Sequence, residues 1–515
     1  MMCKILSLLL ATCILAAMTA CNGPWQPAQI DYTPIFEKTS CPFTLPRGQS
    51  DGRTVECGDL LVPEDRYDPD TRTIRLAVAI FHPIYSSPEP DPIIYLQGGP
   101  GASILEIINV SFQQVYAPLL AANRDLILFD QRGVGFSEPA LDCPGVQELG
   151  LELLDMEMEG QVFKEDDLQV LFNDAYRTCH QDLSGVADLG DYNTLNSAAD
   201  VNDLRIALGY DQVNLWGASY GTRLALEMMR DDPQAIRSVI LDSVYPPDKD
   251  LYLEAPANLD RAMRLLFDTC AADESCNAAY PDLRQTFFDT AAALDENPAR
   301  LVVEDPLTGQ SYPMLFTGGA FFGLIFQLMY ETEALPFIPV LIHETHLGNL
   351  EVSGRIYGQL LPLASVSSPG MTFSVQCNEE IAFSSVEQYE QVLLDYPDIA
   401  PYLRDSVLGD IRYDVCSFWE SGKADDLENE AVESNIPTLI LQGRFDPVTP
   451  PAWSMDAAKS LHQSHYFLFP NVAHGVSPTD CGQEMMINFF LDPEHAPSDA
   501  CIAEMEELDF LVPGE

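Results

Sequence analysis

A serine flanked by glycines is the first residue whose surroundings indicate chemistry. Ser219 lies in Gly217-Ala218-Ser219-Tyr220-Gly221, which fits the pattern GxSxG and follows the apolar segment Val213–Trp216. In this pattern a strand turns sharply into a helix, and only small residues fit two positions either side of the serine. The strained turn lifts the hydroxyl out of the sheet edge, with a helix N-terminus behind it. Ser219 is therefore the predicted nucleophile.

A serine hydroxyl is a weak nucleophile, so it needs a base to accept its proton and an acid to orient that base. Asp446 follows the predicted strand Pro437–Gln442, and His474 follows the predicted strand His465–Pro470. Loops after successive parallel strands lie at the same sheet edge, so both side chains are expected beside Ser219. The chain order Ser, Asp, His is that of the α/β-hydrolase fold.

Other acids and histidines are weaker candidates than this pair. Asp242 also ends a predicted strand and is the alternative acid, but the Asp446 loop is the nearer partner for His474. His343 and His346 form His-Glu-Thr-His, one residue short of the zinc-binding HExxH spacing. The cysteines also lack metal-ligand spacing, so zinc is not expected. A serine mechanism with an acyl-enzyme is predicted to need no metal and no cofactor.

A tetrahedral intermediate needs backbone donors for its oxyanion. The segment Gln97-Gly98-Gly99-Pro100-Gly101 follows an early predicted strand, where the α/β-hydrolase fold places such donors. The predicted donors are the N–H groups of Gly99 and Tyr220. The alternative is an ordinary Gly/Pro turn.

The positions of these residues require a particular order of elements. Strands with nearly continuous apolar runs alternate with helical segments, which predicts an α/β fold with a mostly parallel sheet covered on both faces. A mainly helical cap is predicted for residues 245–435, between the two parts of the hydrolase core at 61–244 and 436–515. Residues 21–60 are predicted to be an N-terminal lead.

The amino terminus has the composition of an export signal. Residues 1–20 contain Lys4 and then an apolar run from Ile5 to Met18, which is too short to span a bilayer comfortably. Met18-Thr19-Ala20-Cys21 resembles a bacterial lipobox, so a lipid anchor through Cys21 is expected, although Met18 replaces the usual Leu. The alternative is ordinary secretion after cleavage near Ala20.

Charge and cysteine content narrow the class of protein further. The 79 acidic and 26 basic residues among 515 give a formal net charge of −53, which repels phosphate backbones and excludes a nucleic-acid partner. Ten cysteines remain after Cys3, Cys13 and Cys21, and an oxidising compartment favours disulfides. Joining sequence neighbours predicts Cys41–Cys57, Cys143–Cys179, Cys270–Cys276, Cys377–Cys416 and Cys481–Cys501.

Five motifs in chain order carry a family resemblance. The segments Gln-Gly-Gly-Pro-Gly from Gln97, Asp130-Gln-Arg-Gly-Val-Gly-Phe-Ser137, Gly-Ala-Ser-Tyr-Gly, Gly443-Arg-Phe-Asp-Pro-Val-Thr-Pro450 and Asn-Val-Ala-His-Gly475 span both parts of the core. Together they resemble the prolyl aminopeptidase and tripeptidyl aminopeptidase branch of the α/β-hydrolases. The resemblance implies cleavage of peptides that have a free amine. Gln97 replaces the histidine usual in prolyl iminopeptidases, so the chain looks more like the tripeptidyl type.

An enzyme of that kind must read the ammonium group of its substrate, and a carboxylate in the cap is the natural partner. Gln376-Cys377-Asn378-Glu379-Glu380 is similar to the family's Cys-x-Glu/Asp segment at the end of the cap. Glu379 is the first choice for the amine and Glu380 the second. The alternative is that both are solvated acids at a helix start.

The predicted function is therefore an exported serine aminopeptidase that forms an acyl-enzyme and acts on peptides with a free N-terminus. One alternative is an esterase on the same triad, because fold and triad do not fix the leaving group. A second alternative is a non-catalytic envelope binding protein on a hydrolase scaffold. The oligomeric state and the preferred N-terminal residue are left open.

Overall fold

The structure, a computed structural model, describes residues 29–83, 87–158, 161–163, 165–404, 409 and 411–513. The predicted signal segment 1–20 and the predicted lipidation site Cys21 lie outside the described residues. Within the described ranges, no helix is both long enough and apolar enough to cross a membrane.

The central element is a nine-stranded sheet in the order β1-β2-β3-β5-β4-β8-β9-β12-β13. The six strands from β5 to β13 in this order are parallel, whereas β3 is antiparallel to β5 and β1 to β2. The strand bounds are β1 Ile35–Thr39, β2 Val55–Pro63, β3 Thr73–Phe81, β4 Ile93–Leu96, β5 Leu126–Phe129, β6 Glu157–Met158, β7 Gln161–Val162, β8 Val213–Ala218, β9 Ile236–Asp242, β10 Ala299–Glu304, β11 Ser311–Phe316, β12 Thr438–Gly443 and β13 Ser464–Phe469.

Helices pack on both faces of the sheet, since the central strands β4, β5, β8 and β12 are almost completely buried. The helix bounds are α1 Ile108–Ser111, α2 Pro144–Glu152, α3 Glu165–Leu183, α4 Thr194–Leu208, α5 Tyr220–Asp231, α6 Leu251–Ala272, α7 Glu274–Ala279, α8 Leu283–Glu296, α9 Gly318–Leu328, α10 Ile338–His346, α11 Glu351–Leu360, α12 Pro369–Glu379, α13 Val386–Leu393, α14 Ala400–Arg404, α15 Ile411–Trp419, α16 Pro451–Ser460, α17 Asp480–Leu491 and α18 Ala500–Ala503. The predicted fold class, an α/β-hydrolase with a mostly parallel sheet and a helical insertion, is confirmed.

The segment between β9 and β12 contains α6 to α15 together with the antiparallel pair β10 and β11. Its apolar side chains form a cluster around Phe287 and Phe321, which also includes Phe445 and Ala473 of the core. Phe510, near the carboxyl terminus, is buried in the same cluster, and Leu511 N donates to Pro336 O at 3.2 Å. The chain thus returns to the cap after completing the core.

The N-terminal lead predicted for residues 21–60 differs from the structure. β1 and most of β2 fall within that range, and both belong to the large sheet, so the core begins well before residue 61. A small separate unit contains residues 63–73 and the described residues before Pro34. In this unit Ile30 N donates to Arg66 O at 2.8 Å, and Arg66 Nε donates to Tyr32 Oη at 3.1 Å.

The disulfide pairing expected from sequence neighbours is confirmed. The five bridges join Cys41 to Cys57, Cys143 to Cys179, Cys270 to Cys276, Cys377 to Cys416, and Cys481 to Cys501. The bridge at Cys377 ties α12 to α15. It therefore holds the cap helix whose last residue is Glu379.

Candidate active site

Ser219 lies at the turn between β8 and α5, in a backbone conformation with φ 54° and ψ −123°. This left-handed φ is rare for residues other than glycine and indicates strain at the turn. A Cβ added at Gly217 would overlap the Gly221 carbonyl oxygen, and one added at Gly221 would overlap that of Leu96. The close approach of β8, α5 and β4 thus requires the two glycines of the motif.

We expect Gly221→Ala to destabilise the protein by about 3 kcal/mol or more and to lower activity, because the added methyl group would displace β4 or the turn at Ser219. Thermal unfolding and hydrolysis assays measure the two effects. Gly150→Ala in α2 is the matched control, since a Cβ there meets nothing within 4 Å. A Gly221→Ala protein with wild-type stability and activity would contradict this view of the turn.

Asp446 and His474 are directly hydrogen-bonded, with 2.8 Å between Asp446 Oδ2 and His474 Nδ1. Asp446 is completely buried, and its Oδ1 accepts hydrogen bonds from Val448 N at 2.9 Å and Thr449 N at 2.8 Å. Thr449 Oγ1 donates to Oδ2 at 2.8 Å. The carboxylate is therefore fixed on three sides and orients the imidazole through Nδ1, which leaves Nε2 for a nucleophile.

The two groups shift each other's pKa in opposite directions. Burial alone would raise the pKa of Asp446, but His474 and the donors around the carboxylate hold it below its ordinary value. Burial alone would lower the pKa of His474, but attraction and hydrogen bonding from Asp446 outweigh burial and raise it. The pair thus favours a charged imidazole, which is the state that forms when a base takes a proton from serine.

Asp242, the alternative acid, accepts hydrogen bonds from backbone N–H groups and not from the imidazole. Its carboxylate accepts from Val476 N at 2.8 Å and Ser477 N at 2.7 Å, and its carbonyl oxygen accepts from Ser219 N at 3.0 Å. Asp242 therefore connects the nucleophile turn to the loop that carries His474. This arrangement places the loops of Ser219 and His474 side by side.

The cap also holds the histidine loop. Tyr330 O accepts from His474 N at 3.2 Å, and the Tyr330 ring meets the imidazole edge to face with 5.2 Å between ring centroids. Thr332 Oγ1 accepts from Ala473 N at 3.0 Å. The segment between α9 and α10 thus packs directly on the predicted base.

The glycine loop after β4 lies against the nucleophile. A Cβ added at Gly98 would be 3.0 Å from Ser219 Cβ and 3.6 Å from Ser219 Oγ. Gly99 follows with φ +121°, a conformation that side chains disfavour. Tyr220 is the first residue of α5. The two predicted oxyanion donors, Gly99 N–H and Tyr220 N–H, therefore belong to segments on either side of Ser219.

Glu379 and Glu380 are buried at the end of α12, with exposed fractions of 2% and 3%. Glu379 accepts from Thr194 N and Thr194 Oγ1, both at 2.6 Å. Arg223 lies between the two acids, with Nε 3.3 Å from Glu379 Oε2 and Nη1 2.7 Å from Glu380 Oε1. The alternative of solvated acids at a helix start is therefore wrong, because both close a helix and are enclosed.

Four residues that contact the predicted site residues or their loops were not predicted from the sequence. Arg223 lies four residues after Ser219, one helical turn along α5, and that spacing could have drawn attention to it. Thr449 lies three residues after Asp446, a spacing at which an aspartate often binds nearby backbone N–H groups. Tyr330 and Thr332 come from the cap and left no recognisable signal in the sequence.

Comparisons with known proteins show similarity to α/β-hydrolases. Residues 91–292 match the family model of the alpha/beta hydrolase fold, and residues 404–501 match that of the TAP-like protein. The serine protease Hip1 of Mycobacterium tuberculosis is 26% identical over 496 residues, covering 90% of both chains. The tripeptidyl aminopeptidase of Streptomyces coelicolor is 31% identical over 44% of this chain and 40% of its own. Carboxylesterase B of M. tuberculosis is 24% identical over 87% of this chain and 86% of its own.

Proposed function

Because this chain is an α/β-hydrolase of the tripeptidyl aminopeptidase family, we propose that it is a serine aminopeptidase that releases single residues or short peptides from free N-termini. The observation that carries the proposal is that two buried acids, Glu379 and Glu380, both pair with Arg223. Arg223 lies one helical turn after Ser219 in α5. An enzyme that selects free amines needs a negative group near its nucleophile.

The proposed reaction proceeds through an acyl-enzyme. His474 takes the Ser219 proton as the hydroxyl attacks the substrate carbonyl, and Asp446 stabilises the imidazolium that forms. The N–H groups of Gly99 and Tyr220 bind the oxyanion. His474 then protonates the leaving amine, and water hydrolyses the ester with His474 again as the base.

The charge of the buried cluster supports amine recognition. Glu379 and Glu380 share one guanidinium, so the three groups keep a net negative charge when both acids are ionised. Burial raises the pKa of Glu380 to about 7 although Arg223 acts to lower it, as expected for a carboxylate with too little positive charge nearby. A carboxylate offers about four acceptor sites, so each acid can accept a further hydrogen bond from an ammonium group.

We expect Glu379→Gln and Glu380→Gln each to raise KM for free-amine substrates by about 10-fold or more, because a charged partner of the ammonium is lost. The measurement uses chromogenic amides of one to three residues, with the amine free or blocked. Glu227→Gln is the matched control, since Glu227 is equally buried at 2% exposure but pairs with Arg230.

Substrates with a blocked amine separate the possible outcomes. The proposal requires that the wild type cleave free-amine amides in preference to blocked ones, and that the two glutamine variants lose this preference. If KM is unchanged in both variants while the preference persists, another group reads the amine. If blocked esters are the preferred substrates, the enzyme is an esterase.

The esterase alternative has one specific observation in its favour, the relative named carboxylesterase B, which covers most of this chain. The same triad serves esters and amides, and the leaving group is chosen by the surrounding pocket. The buried acids favour the aminopeptidase, since an ester substrate offers them no cation.

We further propose that the protein is exported, as a lipoprotein anchored through Cys21 or as a secreted enzyme. The sequence of residues 1–21 carries this proposal. Five disulfides among the described residues support it, because disulfides persist in oxidising compartments.

A further inference from the structure

We propose that Asp130 and Gln131 are positioning residues that fix both ends of the glycine loop, residues 97–105, and so aim its predicted oxyanion donor at the substrate. The two residues follow β5, the strand next to β4. The inference rests on the proposed serine mechanism, because the loop matters for catalysis only if Gly99 N–H binds an oxyanion.

Asp130 holds the end of the glycine loop. Its carboxylate is 1% exposed and accepts hydrogen bonds from Ser103 Oγ at 2.9 Å, Ile104 N at 3.0 Å and Leu105 N at 3.2 Å. A fourth hydrogen bond comes from Phe136 N at 2.9 Å. Three of the four donors therefore belong to the loop, and two of them are backbone groups whose positions define its course.

Gln131 holds the start of the same loop. Its Nε2 donates to the carbonyl oxygen of Gln97 at 2.8 Å, and the residue is 4% exposed. Gln97 directly precedes Gly98, the residue in contact with Ser219. One dipeptide directly after β5 thus fixes the backbone on both sides of the glycines.

The middle of the loop cannot fix itself, because Gly98, Gly99 and Gly101 have no side chains to pack. The cap supports this part of the loop: Thr372 Oγ1 donates to Pro100 O at 2.7 Å, and Ser368 N donates to Gly101 O at 2.8 Å. Because both of its ends are fixed, the glycine loop holds its N–H donors in a reproducible position. Oxyanion stabilisation depends on donors that are already oriented.

Packing alone does not account for a carboxylate at this position. Burial raises the pKa of Asp130 to about 6 even though its hydrogen bonds lower it, so the group stays mostly ionised at neutral pH in a place that disfavours charge. An ionised carboxylate binds N–H donors more strongly than a neutral acceptor does. The charge is thus used to hold the loop.

The test compares wild type with Asp130→Asn, Gln131→Met and Ser103→Ala, using p-nitrophenyl acetate so that the result does not depend on amine recognition. We expect kcat to fall on the order of 100-fold for Asp130→Asn and about 10-fold for each of the others, with KM changed less than about 3-fold. Affinity for a trifluoromethyl ketone, whose adduct carries an oxyanion, should fall by the same factors as kcat.

Ser238→Ala is the matched control for stability. Ser238 is completely buried in β9 and its hydroxyl donates to Asn214 Oδ1 at 2.7 Å, away from the glycine loop. We expect this control to lower the melting temperature without changing kcat or inhibitor affinity. Combining Asp130→Asn with Gln131→Met should reduce kcat by less than the product of the single effects, because both act on one loop.

Folded variants that keep wild-type kcat and inhibitor affinity would overturn the inference. A loss of kcat that correlates with a lower melting temperature and not with inhibitor affinity would overturn it as well. If Asp130→Asn does not fold, Gln131→Met and Ser103→Ala decide the question. A wild-type protein that neither hydrolyses the ester nor reacts with a serine-directed phosphonate would instead refute the proposed function.

Discussion

Replacing Ser219 with alanine should lower kcat by about 10⁶-fold, the largest effect expected of any single substitution in this protein. In the proposed mechanism the Ser219 hydroxyl forms the covalent bond to the acyl group, and its neighbours Ala218 and Tyr220 supply no aliphatic hydroxyl in its place. The oxyanion donors and the binding site remain in this variant, so a residual rate about 10³- to 10⁴-fold above that in water is expected. Hydrolysis of a chromogenic amide measures the loss.

Covalent labelling locates the nucleophile independently of turnover. A fluorophosphonate should modify the wild type once, on the peptide that contains Ser219, and should not modify Ser219→Ala. Ser197→Ala is the matched control: Ser197 is 1% exposed in α4, and its hydroxyl has no hydrogen-bond partner among the described residues, so removing it should change neither rate nor labelling. A label on any other residue would refute the serine assignment.

The parallel core could be predicted from sequence because its strands are buried on both faces and therefore read as continuous apolar runs. β4, β5 and β12 are buried at every residue, and each is followed by a turn that carries a predicted or inferred functional group. Since turns after parallel strands lie at one sheet edge, recognising these strands was enough to predict that Gly99 and Asp446 lie near Ser219. His474 follows β13, which is mostly only partly buried, and the chain order Ser, Asp, His supported its prediction.

The edge of the sheet was harder to predict. β1 is mostly exposed and β2 alternates between buried and partly buried residues, so neither has the long apolar run of a central strand. Their pairing is antiparallel, and the most distant partners, Ile35 and Leu61, are 26 positions apart in the chain. Most of both strands therefore lies in residues 21–60, which the sequence predicts to be an N-terminal lead.

The contacts of Glu379 and Glu380 could not be predicted for a similar reason, because their partners are distant in the sequence. Thr194 and Glu379 are 185 residues apart in the chain, yet they form two hydrogen bonds. Local sequence shows Glu379 and Glu380 as two charges in a row, which usually indicates a solvated surface. Only the tertiary fold brings Thr194 and Arg223 against them and makes their burial tolerable.

Replacing Asp446 with asparagine should lower kcat by about 10⁴-fold, because an amide stabilises neither the imidazolium nor the tautomer of His474 that leaves Nε2 free. The pH profile should change as well. In wild type Asp446 raises the pKa of His474 above 6.5, so activity should fall as the pH drops through a value above 6.5. Without the carboxylate, burial of the imidazole dominates and lowers its pKa, so the acidic limb of the variant should move to lower pH.

Asp242→Asn is the matched control for this variant, since Asp242 is equally buried, also ends a strand and contacts the same histidine loop. Its carboxylate binds the N–H groups of Val476 and Ser477 and not the imidazole, so we expect a loss below about 10-fold and an acidic limb nearer that of wild type. The opposite ranking, with a 10⁴-fold loss for Asp242→Asn and a minor one for Asp446→Asn, would make Asp242 the orienting acid. A pH profile that is unchanged in Asp446→Asn would show that the acidic limb reports a group other than His474.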